Sequence, residues 1–395
     1  VTTRSHWLAP LLAALALVAC ARGRAQDPYA VQVSEAVPMI EKATGLRFKQ
    51  QPRYEVRSKE QVRSFLEKMF AEEKSSRDLA AQQTVLRRLG IIPDTLDLRK
   101  LMLDLLTEQI VGFYDPKTKV LYLVSGAPED QLAFVIQHEL VHALQDQYMD
   151  LQAIQEIKGD DDRQLAAQSI MEGQATLVPL QAVLGAGSGL PASWDRIREL
   201  IRESQSSMPV MARTPEFLQE MLIFPYLNGA EFMRRFQNER PGRMPYGSDM
   251  PTSSAQIVHP NDYFGDPKRE PVMVTLPAPR GATLDNDNDM GELATRVFLY
   301  QLLKDQNEAV RAAAGWSGDR YALLKTPQGD GLAWLTVFQT PVDAVEFSQA
   351  MQDVVTKRYP SAIGHKTASG MRFEGAGRTV LIWGGTVAGQ SGVLY

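Results

Sequence analysis

Apolar positions recur every three or four residues through the first part of the chain, and that spacing predicts helices. Ser58 is placed to cap "KEQVRSFLEKMFAEEK", because a serine oxygen satisfies the free N–H groups of a first turn. "SRDLAAQQTVLRRLG" follows and ends on Gly90, a residue that takes the left-handed conformation of a helix end without strain. "LDLRKLMLDLLTEQI" sets Leu98, Leu101, Met102 and Leu105 on one face. Together these segments predict a helical layer. The pattern then changes. "IVGFYD" and "KVLYLVSG", separated by Pro116-Lys117-Thr118, predict a β-hairpin leading into another helix. Further helices are expected over about 163–184, 193–205 and 228–238. Residues 241–279, rich in Pro, Gly, Asp and Ser, are expected to be irregular. One long helix is expected in "GELATRVFLYQLLKDQNEAVRAAAGW", with "GWSGDRY" as a turn that packs aromatic rings. Strands "RYALLKTP" and "GLAWLTVFQT", helix "PVDAVEFSQAMQDVVTKRY" and the strands of "MRFEGAGRTVLIWGG" then predict a C-terminal α+β unit.

The first 25 residues follow a different logic. Arg4 precedes an apolar run from Leu8 to Val18. A bilayer span takes about 20 residues, so this run has the length of a signal-peptide core instead. Leu17-Val18-Ala19-Cys20 resembles a bacterial lipobox, with Cys20 as the lipidated new N-terminus. The same stretch also spells an ordinary A-x-A cleavage site ending at Ala21. Lipidation is the expectation, because the chain's single cysteine stands where lipidation needs one. Residues 1–25 are therefore set apart as a signal peptide, leaving 26–280 and 281–395 as the folded parts. The expected location is the bacterial cell envelope, lipid-anchored through Cys20 and otherwise periplasmic or secreted.

Composition narrows the function. The chain has 395 residues, 44% of them hydrophobic, with a net charge of -5. No long basic block stands out, which argues against a nucleic-acid partner. A single cysteine excludes an intramolecular disulfide. It also disfavours a structural zinc site, since closed sites prefer cysteines.

Candidate chemistry sits in "FVIQHELVHALQDQY". Residues four apart share a helix face about 6 Å apart, so His138 and His142 can hold one metal ion together. Glu139 is rotated by about 100° from His138 and can reach a water on that metal without being a ligand. Leu132, Phe134, Ile136, Leu140, Val141 and Leu144 surround the pair, which predicts a buried helix whose histidines need partners. The third ligand is expected in "QSIMEGQATLVPL", where Glu172 lies among apolar neighbours. An ionised carboxylate there is costly unless paired or bound to metal. Asp160, Asp161 and Asp162 are weaker candidates, expected to be solvated. His259 and His365 do not follow at the short metzincin spacing.

His138-Glu139-x-x-His142 with Glu172-Gly173-x-Ala175 resembles the gluzincin-type zinc metallopeptidases. The chain is also similar to uncharacterised exported bacterial metallopeptidases that share "HALQDQ", a "PY..G" segment and an "HP" segment. This resemblance implies an α+β, mainly helical zincin-like domain with a small sheet and a C-terminal α+β unit. It implies one zinc ion on His138, His142 and Glu172, with Glu139 as general base and a peptide or protein as substrate. It further implies an edge strand that binds extended substrate, for which Val120 to Ser125 is in place, and an oxyanion donor, for which His259 and Tyr226 are the candidates. The sequence departs from the better-known members in its longer gap to Glu172. Thr176 also stands where thermolysin-like enzymes carry an aspartate. Asp146, one turn beyond His142, is the expected substitute for orienting the histidines. The competing expectation is a catalytically idle envelope lipoprotein that keeps the scaffold to bind a peptide or protein.

Overall fold

The computed structural model describes residues 27–127, 129–184, 199, 202–203, 208–327, 329–375, 378–387 and 389–395. The expected signal peptide with Cys20 lies outside the described residues, as does most of 193–205. The fold is α+β and mainly helical. Among the described residues, no helix is long and apolar enough to cross a membrane.

α1 (Pro28–Thr44) leads to β1 (Arg53–Arg57). The expected helical layer is α2 (Lys59–Ala71), α3 (Glu73–Leu89) and α4 (Leu98–Gln109). Ser58 caps α2 in a capping box with Gln61, and Gly90 ends α3 at φ 79°. The hairpin follows as β2 (Gly112–Asp115) and β3 (Val120–Val124), paired antiparallel. β1 adds to β3 in parallel, giving the order β1-β3-β2. The expected edge strand "VLYLVS" is therefore central, and β1 and β2 are the edges. The reason is a non-local pairing: β1 comes from before the helical layer.

α5 (Glu129–Gln145) carries the two histidines and is followed by the short α6 (Leu151–Gln155) and the long α7 (Asp161–Leu184). After α8 (Pro209–Arg213) comes α9 (Glu216–Glu239), which begins well before the expected residue 228. Pro225 sits inside it. A proline forfeits one backbone hydrogen bond, and here the buried Phe224, Leu227, Phe232 and Phe236 outweigh that loss. α7 and α9 touch through Gly173 and Gly229: a Cβ on either would overlap backbone atoms of the other helix. Two glycines thus set how close these helices come.

Residues 241–279 are irregular apart from a 3₁₀ turn at Gly247–Asp249 and the one-turn helices α10 (Ser254–Val258) and α11 (Pro260–Phe264). The C-terminal part contains β4 (Thr283–Asn288), α12 (Gly291–Leu303), α13 (Gln306–Ala313), β5 (Trp316–Thr326), β6 (Gly329–Phe338) and α14 (Pro341–Arg358). It ends with β7 (Ile363–Thr367), β8 (Gly370–Gly375), β9 (Arg378–Val387) and β10 (Gln390–Leu394). These strands form an antiparallel sheet of order β4-β5-β6-β10-β9-β8-β7. The single helix expected from Gly291 is two, because Lys304 turns at φ 57° and Asp305 caps a new helix by accepting from the Glu308 N–H. One apolar cluster crosses residue 280, joining Leu89, Ile170 and Phe236 to Phe298, Trp334 and Phe347.

"GWSGDRY" is strand rather than turn, and its aspartate is a structural node. Buried Asp319 accepts from the N–H groups of Met290 and Gly291, both at 2.9 Å, and from the indoles of Trp316 at 3.0 Å and Trp334 at 2.8 Å. It thereby caps α12. Asp162, expected to be solvated, is 3% exposed, and both its carboxylate oxygens face the Ser254 N–H at 3.1 Å. Asp289 accepts from the Asp162 N–H at 2.9 Å. Burial, reinforced by the Asp319 carboxylate, pushes Asp289 up from 3.8 to about 9. A carboxyl raised on folding favours the native state while protonated, and that contribution is lost as pH climbs from about 4 to about 9. Asp289→Asn keeps the oxygen that accepts from Asp162. It is expected to stabilise the protein by about 1 kcal/mol or more at pH 8, with little effect near pH 4. Urea unfolding at the two pH values checks this; equal effects at both would contradict it.

Candidate metal centre

α5 sets His138 and His142 on one face, and α7 brings Glu172 across to them. His138 Nε2 lies 3.1 Å from Glu172 Oε2, His142 Nε2 lies 3.4 Å from the same oxygen, and the two imidazole nitrogens are 3.2 Å apart. Among the described residues these three side chains form a group able to hold a metal ion. Tetrahedral zinc with nitrogen and oxygen ligands at about 2.0–2.2 Å sets neighbouring ligand atoms about 3.3–3.5 Å apart. The donor set is one that zinc takes, and a slight opening of the 3.1 and 3.2 Å spacings would seat the ion. Both histidine side chains are about nine-tenths covered, at 10% and 12% exposure, while Glu172 is 23% exposed. The carboxylate is thus the open side of the group.

The imidazoles and carboxylates of the group shift one another. Burial pushes the Glu172 carboxyl up, but the His142 and His138 imidazoles outweigh it and hold it well below the usual range. Burial alone would lower His142; the carboxylates of Glu172 and Glu139 overcome it and raise the ring to about 9. The lone pair that takes this proton is the one that would take a metal, so the two compete. Burial raises Glu139, partly offset by the two imidazoles. A carboxylate with a raised pKa suits a general base near neutrality.

Glu139 does not join the ligand group. Its Oε2 accepts the Tyr114 backbone N–H at 2.8 Å, which ties this carboxylate to edge strand β2. The Tyr114 hydroxyl in turn donates to Asp146 Oδ2 at 2.7 Å, as does Lys119 Nζ at 2.7 Å. Asp146 therefore ties the hairpin to the end of α5 and does not orient a histidine. Gln145 takes that place, accepting from His142 Nδ1 through Oε1 at 2.9 Å. Thr176 gives no substitute, since it is buried with its hydroxyl unpartnered. The helix is apolar around the site as expected, except that Phe134 is 36% exposed. Its ring lies 6.4 Å from that of His138, at an interplanar angle of 30°.

The two expected oxyanion donors part company. Tyr226 packs on His138 with ring centroids 5.9 Å apart. The Glu172 carboxylate beside it, with burial, holds its hydroxyl well above the ordinary range, so it stays a donor. α9 delivers Tyr226 there because Gly229, one turn on, lets that helix meet α7 next to Glu172. His259 is placed elsewhere: its Nε2 pairs with the buried Glu292 at 2.5 Å, and none of its described contacts is with His138, His142 or Glu172. The residues missed from sequence are neutral. Gln145 was findable, since it stands three residues after His142 on the same helix face. Tyr114, Gln174 and Tyr246 carry no such local signal.

Residues 281–392 match the model of a domain of unknown function, DUF8575, a span that begins just before β4. No curated protein matches the chain. Among solved structures, the chain is similar to a "putative hydrolase with a novel fold" from Chloroflexus aurantiacus, at 19% identity and a TM-score of 0.37, over 61% of this chain and 89% of that one.

Proposed function

We propose that this protein is a zinc-dependent peptidase. The observation that carries this reading is the convergence of His138, His142 and Glu172 with Glu139 beside them but outside the ligand set. His138, His142 and Glu172 would hold the ion. When bound there, zinc acts as a Lewis acid that brings a water's pKa toward neutrality and polarises a substrate carbonyl. Glu139 receives the proton of the attacking water and returns it to the leaving amine. Its place beside the ligand group and outside it supports both steps. Tyr226 donates its hydroxyl toward the oxygen that gains charge as the amide is attacked. β2 is an edge strand beside Glu139; with the Tyr114 N–H taken by Glu139, its remaining outward main-chain groups would pair with an extended peptide. The envelope location stays part of this proposal and rests on the first 25 residues.

Two results are expected. Dialysis against a chelator should abolish peptide hydrolysis, and stoichiometric zinc should restore it, as followed by cleavage of a fluorogenic peptide library alongside metal analysis. Hydrolysis that survives complete metal removal would sink the reading. Tyr226→Phe is expected to retain zinc and lose about 10²–10³-fold in kcat. An unchanged kcat would take Tyr226 out of the chemistry and leave it as packing for His138.

A further inference from the structure

Behind His142 lies a hydrogen-bond array whose direction is fixed throughout. Gln145 and Gln174 are each 1% exposed. The Gln145 amide nitrogen donates to the Met171 carbonyl at 3.1 Å and to Gln174 Oε1 at 2.8 Å. Both of its protons are thereby placed against acceptors that cannot donate. Turning this amide over would set its oxygen against two other oxygens, so Oε1 must face His142. Gln174 is fixed in the same way. Its Oε1 also accepts from the Tyr246 hydroxyl, and its Nε2 faces Met244 Sδ at 3.2 Å. Burial pushes Tyr246 above the ordinary tyrosine range, so its hydroxyl keeps its proton.

An amide oxygen only accepts. His142 Nδ1, 2.9 Å from Gln145 Oε1, must therefore carry a proton, and its Nε2 is the nitrogen left with a lone pair for a metal. A metal-bound histidine usually has this bond made by a carboxylate, a backbone carbonyl or water. Here it is made by a side-chain amide that adds no charge and cannot exchange its role. We propose that Gln145, held by Gln174 and Tyr246, is a positioning residue. It locks His142 in the Nδ1-protonated tautomer and aims Nε2 at the metal position. The proposal rests on the metal reading above and extends it to residues from α7 and from the irregular stretch before α10.

The test uses the full chain and zinc itself. Affinity is measured by competition with a chromophoric chelator, with circular dichroism and thermal melting of each metal-free protein alongside. Gln145→Leu keeps the volume and removes the acceptor; it is expected to fold and to bind zinc about 10–100-fold more weakly. In zinc-loaded protein with 15N-labelled histidine, His142 is expected to show Nε2 bound and a protected Nδ1–H. That signal should be absent in Gln145→Leu. Unchanged zinc affinity in a folded Gln145→Leu overturns the proposal. So does a wild-type spectrum with His142 bound through Nδ1 or with an unprotected Nδ1–H, which needs no variant to fold. If the wild type takes up no zinc, the peptidase reading fails and this proposal with it. If the wild type binds zinc and Gln145→Leu binds it equally well, this proposal alone fails.

Discussion

Replacing Glu139 with glutamine is expected to leave zinc on the protein while slowing peptide hydrolysis about 10²–10⁴-fold. The two halves of this expectation have separate causes. Zinc stays because the ligand atoms belong to His138, His142 and Glu172, which the change does not touch. The local geometry stays because a glutamine oxygen can still accept the Tyr114 N–H that Glu139 Oε2 accepts at 2.8 Å. Hydrolysis falls because an amide cannot receive a proton from water. With Oε2 committed to the backbone of β2, Oε1 is the oxygen left for that transfer. The measurement is kcat on a cleaved peptide, with zinc content determined on the same sample. Undiminished turnover would remove Glu139 from the mechanism, whereas no turnover by the wild type would favour a scaffold that only binds peptides. Loss of zinc would make Glu139 a ligand.

Gly229→Ala is expected to destabilise the protein by about 3 kcal/mol or more and to weaken zinc binding. An added Cβ at this position would overlap the carbonyl oxygen of Ser169 on α7. That neighbour is backbone within a helix, so no rotamer change relieves the clash and the helices must separate. Glu172 is on one of these helices and Tyr226 on the other, both within one turn of the crossing. Separation therefore spoils the third ligand and the aromatic cover of His138 together. Gly331→Ala is the control, because there an added Cβ comes no nearer than 4.0 Å, to Leu324 Cβ. Thermal unfolding and zinc titration of both variants give the answer; similar melting temperatures would show that the crossing tolerates a wider spacing.

The parts of this fold that were legible in the sequence are those governed by near neighbours. The caps at Ser58 and Gly90, the hairpin, the histidine helix and much of the C-terminal part follow from local spacing. Glu172 was reachable because a lone acid in an apolar helix is conspicuous. What was not legible depends on distant partners. Whether β3 is central or an edge is decided by β1, which also passed unnoticed, together with α1 and β4. The first half of α9 was not expected, since Pro225 stands inside it and the burial that carries the helix through is tertiary. The second layer of the site was misassigned because charged residues attract attention. Asp146 looked right for orienting His142, yet its charge is used by Tyr114 and Lys119, and a neutral glutamine next to it makes the contact. His259 was drawn in by its rarity and its proline neighbour, while its partner Glu292 belongs to a helix far along the chain.

The apolar cluster that crosses residue 280 bears on how this chain could change over time. α12 lies against both α7 and α9, the helices that carry Glu172 and Tyr226. The span recognised as a domain of unknown function thus packs against the helices that carry two of the site's side chains. It is not a module that can be exchanged without consequence. A substitution in α12 that repacks Phe298 or Leu293 is transmitted to helices whose separation is fixed by two glycines with no slack. The two parts are therefore expected to vary as one unit, with changes in the C-terminal part constrained by the spacing of helices outside it.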